Sequence, residues 1–410
     1  MSGNPITTDV LIVGGGPAGL SAALALRQRG LSVVVADSMK PPIDKACGEG
    51  LMPDSRRELE SLGVELTSQD GGEFRGIRFV NHKEGIAQAH SGLSAIATAE
   101  FPPDGKSAPG IGLGLRRQTL HTRLVSAAEA AGVDLQWNCP VQLKDQKQVL
   151  VAGSPASYGL LVGADGQNSR VRKWAALDRG DTISTRYGFR QHFTVPPWSP
   201  YVEVHWTNAG QAYVTPTGPG EVCVAAVVRD PHCRLNTLLD EMPWLQEKLR
   251  AGSSRSCPAD EERGAVTTTR RLRRVAMGNV ALVGDASGSA DAITGEGMAM
   301  AFRHALLLAE FYDAGDTANS LTLYNKLHPR ILQMPQTMAR IMLLMDRSPL
   351  FRNRALAMLA HQPDLFARML GVHVGAESLL HFISARGLEV AWCLAIPGHN
   401  QPPANAALPI

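Results

Sequence analysis

Two short apolar runs without helical period, Thr8–Val13 (TDVLIV) and Leu31–Ala36 (LSVVVA), predict buried strands. Between them lies an Ala/Leu-rich stretch to about Arg29, closed by Gly30, which reads as a helix with a glycine past its last turn. The three form one βαβ unit at the start of the chain. Residues Pro41–Pro53 are irregular, and Arg75–Glu100 alternates loosely, as strands do. Leu115–Ala131 predicts a helix with Leu120, Leu124 and Ala127 on one face, and Leu160–Ala164 another apolar strand. From Thr182 to Val228 the period changes to two, in RYGFRQHFTV, YVEVHW, AYVTP and EVCVAAVV, which predicts an antiparallel sheet. Val280–Val283 returns to a parallel-type strand, followed by glycines and an Ala/Met helix, Gly297–Tyr312. From Leu321 onward the pattern is helical, with Pro335 and Pro349 as breaks and PPANAALPI as a frayed tail.

At 410 residues the chain exceeds one growing core, so two joined domains are expected. A formal net charge of +2 leaves no field that would select nucleic acid. The six cysteines (Cys47, Cys139, Cys223, Cys233, Cys257 and Cys393) form no CxxC pair, which argues against a disulfide framework and a zinc site; no metal is expected. No apolar stretch has the shape of a signal peptide or the length of a membrane span; Leu388–Pro397 is short and contains Glu389. A cytoplasmic enzyme without an integral membrane segment is the expectation.

Gly14, Gly16 and Gly19 form GxGxxG between the first strand and the first helix. The first glycine permits a tight turn, the second lets backbone approach a pyrophosphate, and the third lets helix and strand pack closely. Pro17 and Ala18 open the helix, whose N-terminus offers free N–H groups to phosphate. Asp37 ends the second strand 18 residues after Gly19, where an acid binds ribose hydroxyls. Two further segments follow apolar strands: GADGQNSRVR, Gly163–Arg172, and GDASGSADAITGEG, Gly284–Gly297. No second GxGxxG follows a strand, and Gly110, Gly112 and Gly114 read as loop.

In this order the three segments resemble the fingerprint of the FAD-dependent monooxygenase superfamily with the p-hydroxybenzoate hydroxylase fold. The resemblance implies an α/β architecture: an FAD-binding Rossmann-like domain with an inserted antiparallel-sheet substrate domain and a C-terminal helical region. It places residues 1–80, 105–180 and 270–320 in the FAD-binding domain, 81–104 and 181–269 in the substrate domain, and 321–410 in the helical region. It implies that Asp285, after Gly284, binds the ribityl or phosphate region, and that Gly295, Glu296 and Gly297 lie beside the isoalloxazine. Asp165 and Gly166 would support the cofactor region, and Arg117, in R-x-x-L-x-x-x-L, would contact FAD from a helix start. TGEG and the segment KACGEGL, Lys45–Leu51, are similar to the geranylgeranyl reductase and flavin halogenase branch. Cys47 and Gly48 are therefore expected to touch the cofactor, with Glu49 as a partner for ribose or a proton relay. AYVTP, Ala212–Pro216, lacks the tryptophans of the halogenase motif, which speaks against halogenation.

Arg190 and His192 alternate on one strand and share a face, as do Glu203 and His205 on the next. His192 and Tyr213 are candidate catalytic residues facing the substrate cavity, against the simpler reading that they satisfy core hydrogen bonds. The run Arg270, Arg271, Arg273 and Arg274 reads as a solvated strand edge, with steering of NADPH or FAD phosphates as the alternative. Ile341–Met345 reads as a helix covering the substrate domain or making a dimer contact, with a lipid-facing surface as the alternative. The resemblance implies an FAD-dependent monooxygenase that uses O2 to hydroxylate or epoxidise an aromatic or electron-rich substrate, a small molecule of aromatic or apolar character. NAD(P)H would bind transiently, or a separate flavin reductase would supply electrons. The alternatives are a reductase of a carbon–carbon double bond and a flavoprotein that modifies a partner protein.

Overall fold

The computed structural model describes residues 5–82, 93–103, 110–144, 148–250 and 258–395. Cys257 and the PPANAALPI tail lie outside them. The first sheet contains, side by side, Ala276–Met277, Val280–Leu282, Ser154–Gly163, Ile6–Val13, Val33–Ala36 and Asp134–Gln136. Neighbours along these six strands are parallel except the first pair, and two further strands, Val149–Val151 and Val141–Leu143, extend Ser154–Gly163 in antiparallel fashion. Its central strands are apolar without alternation because both faces are covered, one by helices and the other by the strands Val141–Leu143 and Val149–Val151 with the short helix Arg170–Trp174. Register aligns the carboxyl ends: Val13 pairs with both Ala36 and Gly163, and Gly163 pairs with Leu282. Gly14, Asp37, Ala164 and Val283 therefore leave the sheet along one row, the edge at which open α/β sheets bind ligands.

The helices Pro17–Gln28, Arg117–Ala130 and Gly297–Phe311 pack on one face of that sheet. The second sheet has seven strands in the order Arg263–Leu272, Gly180–Phe193, Glu221–Val228, Gly210–Gly218, Val202–Trp206, Gly76–His82, Leu93–Glu100. The expected antiparallel sheet is present in five of its six neighbouring pairs; the sixth, Val202–Trp206 with Gly76–His82, is parallel, because Gly76–His82 enters from the first domain rather than by a hairpin. That strand crosses the expected boundary at residue 80 and lies wholly in the seven-stranded sheet. Arg263–Leu272, an edge strand carrying Arg270 and Arg271, likewise crosses the expected boundary at 269/270.

Two expectations for loops and breaks fail. Gly112 and Gly114 lie in a short strand, Gly112–Gly114, paired with Gly50–Leu51 and Gly72–Phe74. A Cβ on Gly112 would sit 2.3 Å from the Phe74 ring and one on Gly114 1.9 Å from the Pro216 carbonyl, so these glycines serve close packing. Pro335 does not break its helix: Thr317–Arg347 runs through both Pro329 and Pro335. Tertiary packing holds it, with Pro335 itself buried and the end of the helix set in a core of Trp206, Val204 and Met345. Pro349 does separate two helices, at the first turn of Pro349–His361.

A buried ion cluster fixes that long helix to the second sheet and to the third glycine segment. Arg186, from Gly180–Phe193, pairs with Asp291 of the third glycine segment at 3.1 Å and with Asp346 of the helix at 3.0 Å. Removing the cation leaves two carboxylates buried without it, which costs several kcal/mol. Arg186→Met is expected to lower stability by roughly 3–5 kcal/mol, read as a drop in the denaturant midpoint; an unchanged midpoint would show that the cluster is not needed.

Candidate functional site

The first glycine loop is set by backbone contact. Gly14 has φ +111°, and a Cβ there would lie 2.5 Å from the Ala164 carbonyl oxygen. A Cβ on Gly19 would lie 1.9 Å from the Gly14 oxygen, so the third glycine packs helix on strand and does not face the cavity. Gly16 has nothing within 4 Å of such an atom and lines a cavity of about 780 Å³, a size that accommodates a large ligand. Gly16 caps the helix Pro17–Gln28 without any side-chain hydrogen bond, so the first-turn N–H groups remain available to an anion.

Asp37 lines the same cavity, and its two oxygens accept the Gly15 and Met39 N–H groups, each at 2.7 Å. Two residues behind the loop escaped sequence reasoning. The Trp137 ring stands where a Cβ on Gly15 would be, at 2.3 Å. His121 Nε2 donates to the Gly15 carbonyl at 2.8 Å, while its Nδ1 accepts from the Ile43 N–H at 3.4 Å. Burial, opposed by that carbonyl, lowers the His121 pKa, so a neutral ring ties the glycine loop to the segment before KACGEG. The only sequence signal was its place one turn after Arg117.

Arg117 begins the helix Arg117–Ala130 and lines the cavity, and its buried Nε finds no hydrogen-bond partner among the described residues. An unsatisfied cation there suits an anionic ligand. Lys45, also missed, lines the cavity with Nζ 3.3 Å from Asp285. Asp165 lines it too, but its oxygens accept from Ser169 Oγ at 2.5 Å and from the Arg170 N–H at 2.6 Å, capping the short helix Arg170–Trp174. Gly166 (φ +76°) and Gly295 (φ +70°) occupy left-handed turns on the wall, and Gly297 opens the helix Gly297–Phe311; none would crowd a Cβ. Gly284 differs, because a Cβ on it would meet the Ala18 Cβ at 2.6 Å. Two helix N-termini, at Pro17 and Gly297, thus converge on one cavity, and these residues fit a dinucleotide: open glycines, uncapped N–H groups, an unpartnered arginine.

The KACGEG segment forms the next part of the wall. Cys47 and Gly48 line the cavity, and the seven-stranded sheet clamps them: Thr215 Oγ1 donates to the Gly48 carbonyl at 2.8 Å. Glu49 turns away with φ +59°, accepting the Arg117 N–H at 2.9 Å. Tyr213 lines the cavity as expected, yet its hydroxyl donates to the Ile293 carbonyl at 2.6 Å, and burial pushes its phenol up. His192 does not line the cavity. It lies buried behind the wall, with Nε2 2.6 Å from Glu49 and Nδ1 2.7 Å from Asp260. Burial opposes its charge, but hydrogen bonds to those carboxylates outweigh it and hold the imidazole above its ordinary value. His192, expected as catalytic, is thus a strut between Glu49 and Asp260; the period-two pattern put it on the correct face, but Arg190 and Asp44 close that end of the face.

Glu296 is also displaced from its expected place beside the ring system. Its carboxylate is buried against Arg303 and Asp54 rather than lining the cavity. Burial, only partly offset by Arg303 and reinforced by Asp54, pushes its pKa up to about 8. Between the ordinary value of 4.5 and about 8, the unfolded chain releases this proton while the folded chain keeps it. Stability from this group is therefore fully present below 4.5 and is lost as pH rises through that window.

Glu296→Gln is expected to flatten that loss, leaving the variant more stable than the parent at pH 8 and no more stable at pH 4.5, as thermal midpoints across pH will show. The glycines give a paired expectation. Gly16→Val should abolish flavin colour in a folded protein, whereas Gly19→Val should lower the thermal midpoint itself; the reverse assignment would contradict the geometry.

Residues 7–312 match the FAD binding domain family. The chain is 28% identical over 355 residues to a menaquinone reductase of Mycolicibacterium smegmatis, covering 79% of this chain and 80% of that protein. It is 26% identical over 326 residues to a digeranylgeranylglycerophospholipid reductase of Thermoplasma acidophilum, covering 74% and 77%. Its fold is similar to that of a geranylgeranyl bacteriochlorophyll reductase-like protein from Thermoplasma acidophilum, with a TM-score of 0.71 at 18% identity over 94% of this chain and all of that one. Converging strand ends, a glycine-lined cavity and a family match over most of the chain agree: the protein belongs to the FAD binding domain family and is an FAD-dependent oxidoreductase.

Proposed function

We propose that the protein is a reductase in which reduced FAD would supply a hydride, and solvent a proton, to a carbon–carbon double bond, or to the ring, of an apolar isoprenoid-type substrate. The observation that carries this reading is the character of the cavity's far side. There the sheet contributes Gly188, Phe189, Ala225, Val227, Ala265 and Val266, none of which ionises. The hydroxyls beside them are committed elsewhere: Tyr213 to the Ile293 carbonyl, and Thr267 to the Gln167 side chain at 3.1 Å. Hydroxylation of an aromatic ring is helped by a base that ionises the substrate; none of these sheet residues is one, and the carboxylate of Asp291, which also lines the cavity, is held by Arg186 at 3.1 Å. The reductase relatives, with their prenyl-lipid and quinone substrates, support the same choice over the oxygenation expected from the sequence.

In this reading FAD supplies hydride transfer and the protein supplies position and exclusion of water. Gly16, the two helix N-termini and Arg117 would hold the pyrophosphate, and Asp37 the ribose. Cys47, Gly48, Gly295 and Gly297 would flank the ring system. The small residues Gly188 and Ala225 leave width for a slender chain. A nicotinamide nucleotide would reduce the flavin, binding transiently.

The test is anaerobic. Dithionite-reduced enzyme mixed with a detergent-dispersed menaquinone or geranylgeranyl lipid is expected to regain its oxidised flavin spectrum and to yield a product two hydrogens heavier. Ala225→Phe fills that width and should raise KM roughly tenfold or more, the discrimination an apolar pocket gains from a change in its volume, with flavin content unchanged. Reoxidation and product only when oxygen is admitted would overturn the reading in favour of a monooxygenase.

A further inference from the structure

We propose that the turn joining the helices Thr317–Arg347 and Pro349–His361 is a docking surface for an anionic lipid membrane. The inner side of this turn is anchored: Met345, Ala355 and Leu356 are buried in the core that holds Trp206. The outer side is of a different kind. Ile341 is 37% exposed, Leu344 48% and Leu350 75%. Exposed leucines are common one at a time; here three large aliphatic side chains project within ten residues of one helical corner. Arg340, Ile341, Leu344 and Arg347 fall at helical spacing on one face, and Leu350 and Arg354 continue it on the next helix.

Charge identifies the occupant. Arg340, Arg347 and Arg354 are all exposed, and none pairs with a carboxylate among the described residues. The one acid between 340 and 354, Asp346, is turned inward onto Arg186. The exposed side chains of this segment are thus apolar at its tip and cationic beside it, the pattern of a segment that lies in a lipid interface with its arginines among anionic headgroups. A second copy of the chain meeting this face about a twofold axis would set arginine against arginine. No helix among the described residues is long and apolar enough to cross a membrane, so the contact is peripheral. The inference goes beyond the reductase reading and does not depend on it.

The test uses the FAD-loaded full chain and sedimentation with vesicles of phosphatidylcholine, with and without phosphatidylglycerol. Binding is expected to the phosphatidylglycerol vesicles, weakened by salt, and weakened roughly tenfold or more by the triple variant R340E/R347E/R354E. L350Q should weaken binding while leaving its salt dependence. Failure of the wild type to bind, or equal binding by the triple variant, would overturn the proposal. So would a wild-type dimer in sedimentation velocity that L350Q converts to monomer. Turnover of a detergent-dispersed substrate is expected to be unchanged in all variants, so a negative vesicle result and a failed reductase assay can be told apart.

Discussion

One row of backbone pairing governs the site. Val13 sits between Ala36 and Gly163, and Gly163 beside Leu282, so three segments far apart in the chain turn outward at the same height. The turn after Val13 is possible only because Gly14 and Gly19 bring backbone against backbone, within distances that no side chain survives. Remove that approach and the helix Pro17–Gln28 stands off the sheet, its N-terminus no longer facing the cavity. The third segment depends on the same contact, since Gly284 nests against Ala18 at the start of that helix.

Around this apolar and backbone-driven centre, charge is buried at the edges. Arg186 with Asp291 and Asp346 joins the roof sheet to the third glycine segment and to the long helix. Arg190 and His192 with Asp44, Glu49 and Asp260 join the other end of the same strand to the KACGEG segment. Desolvating such groups is costly, and an apolar contact of equal volume would often be as stable. What the ion clusters supply is a defined seat: a roof shifted along its strands would separate each arginine from its acids. The stretch between the two clusters, from Gly188 to Ala225 and Tyr213, is left apolar, and it is this stretch that lines the cavity.

The same division explains why Glu49 and Glu296, each flanked by glycines, turn away from the cavity. Glu49 adopts a left-handed backbone and holds the Arg117 N–H, so the glycines beside it remain on the wall. Glu296 keeps its proton in a buried cluster rather than presenting a charge. Along the sheet that faces the far side of the cavity the protein places small or apolar groups, while Asp37, Lys45, Arg117 and Asp285 stand at the glycine-loop side.

Much of this was legible in the residues alone. Local pattern determines the βαβ opening, the period-two strands, the helices and the three glycine-punctuated strand ends, because each depends on neighbours within a few positions in sequence. It also determines that Arg190 and His192 share a face, since alternation is a property of one strand. It could not determine what closes that face. Asp44, Glu49 and Asp260 arrive from elsewhere in the chain, and only their arrival turns His192 from a cavity residue into a strut. Likewise the glycines of Gly112–Gly114, the unbroken helix through Pro335, and His121 and Trp137 behind the first loop were decided by long-range packing, which overrides local propensity wherever two distant backbones or rings must occupy adjoining space.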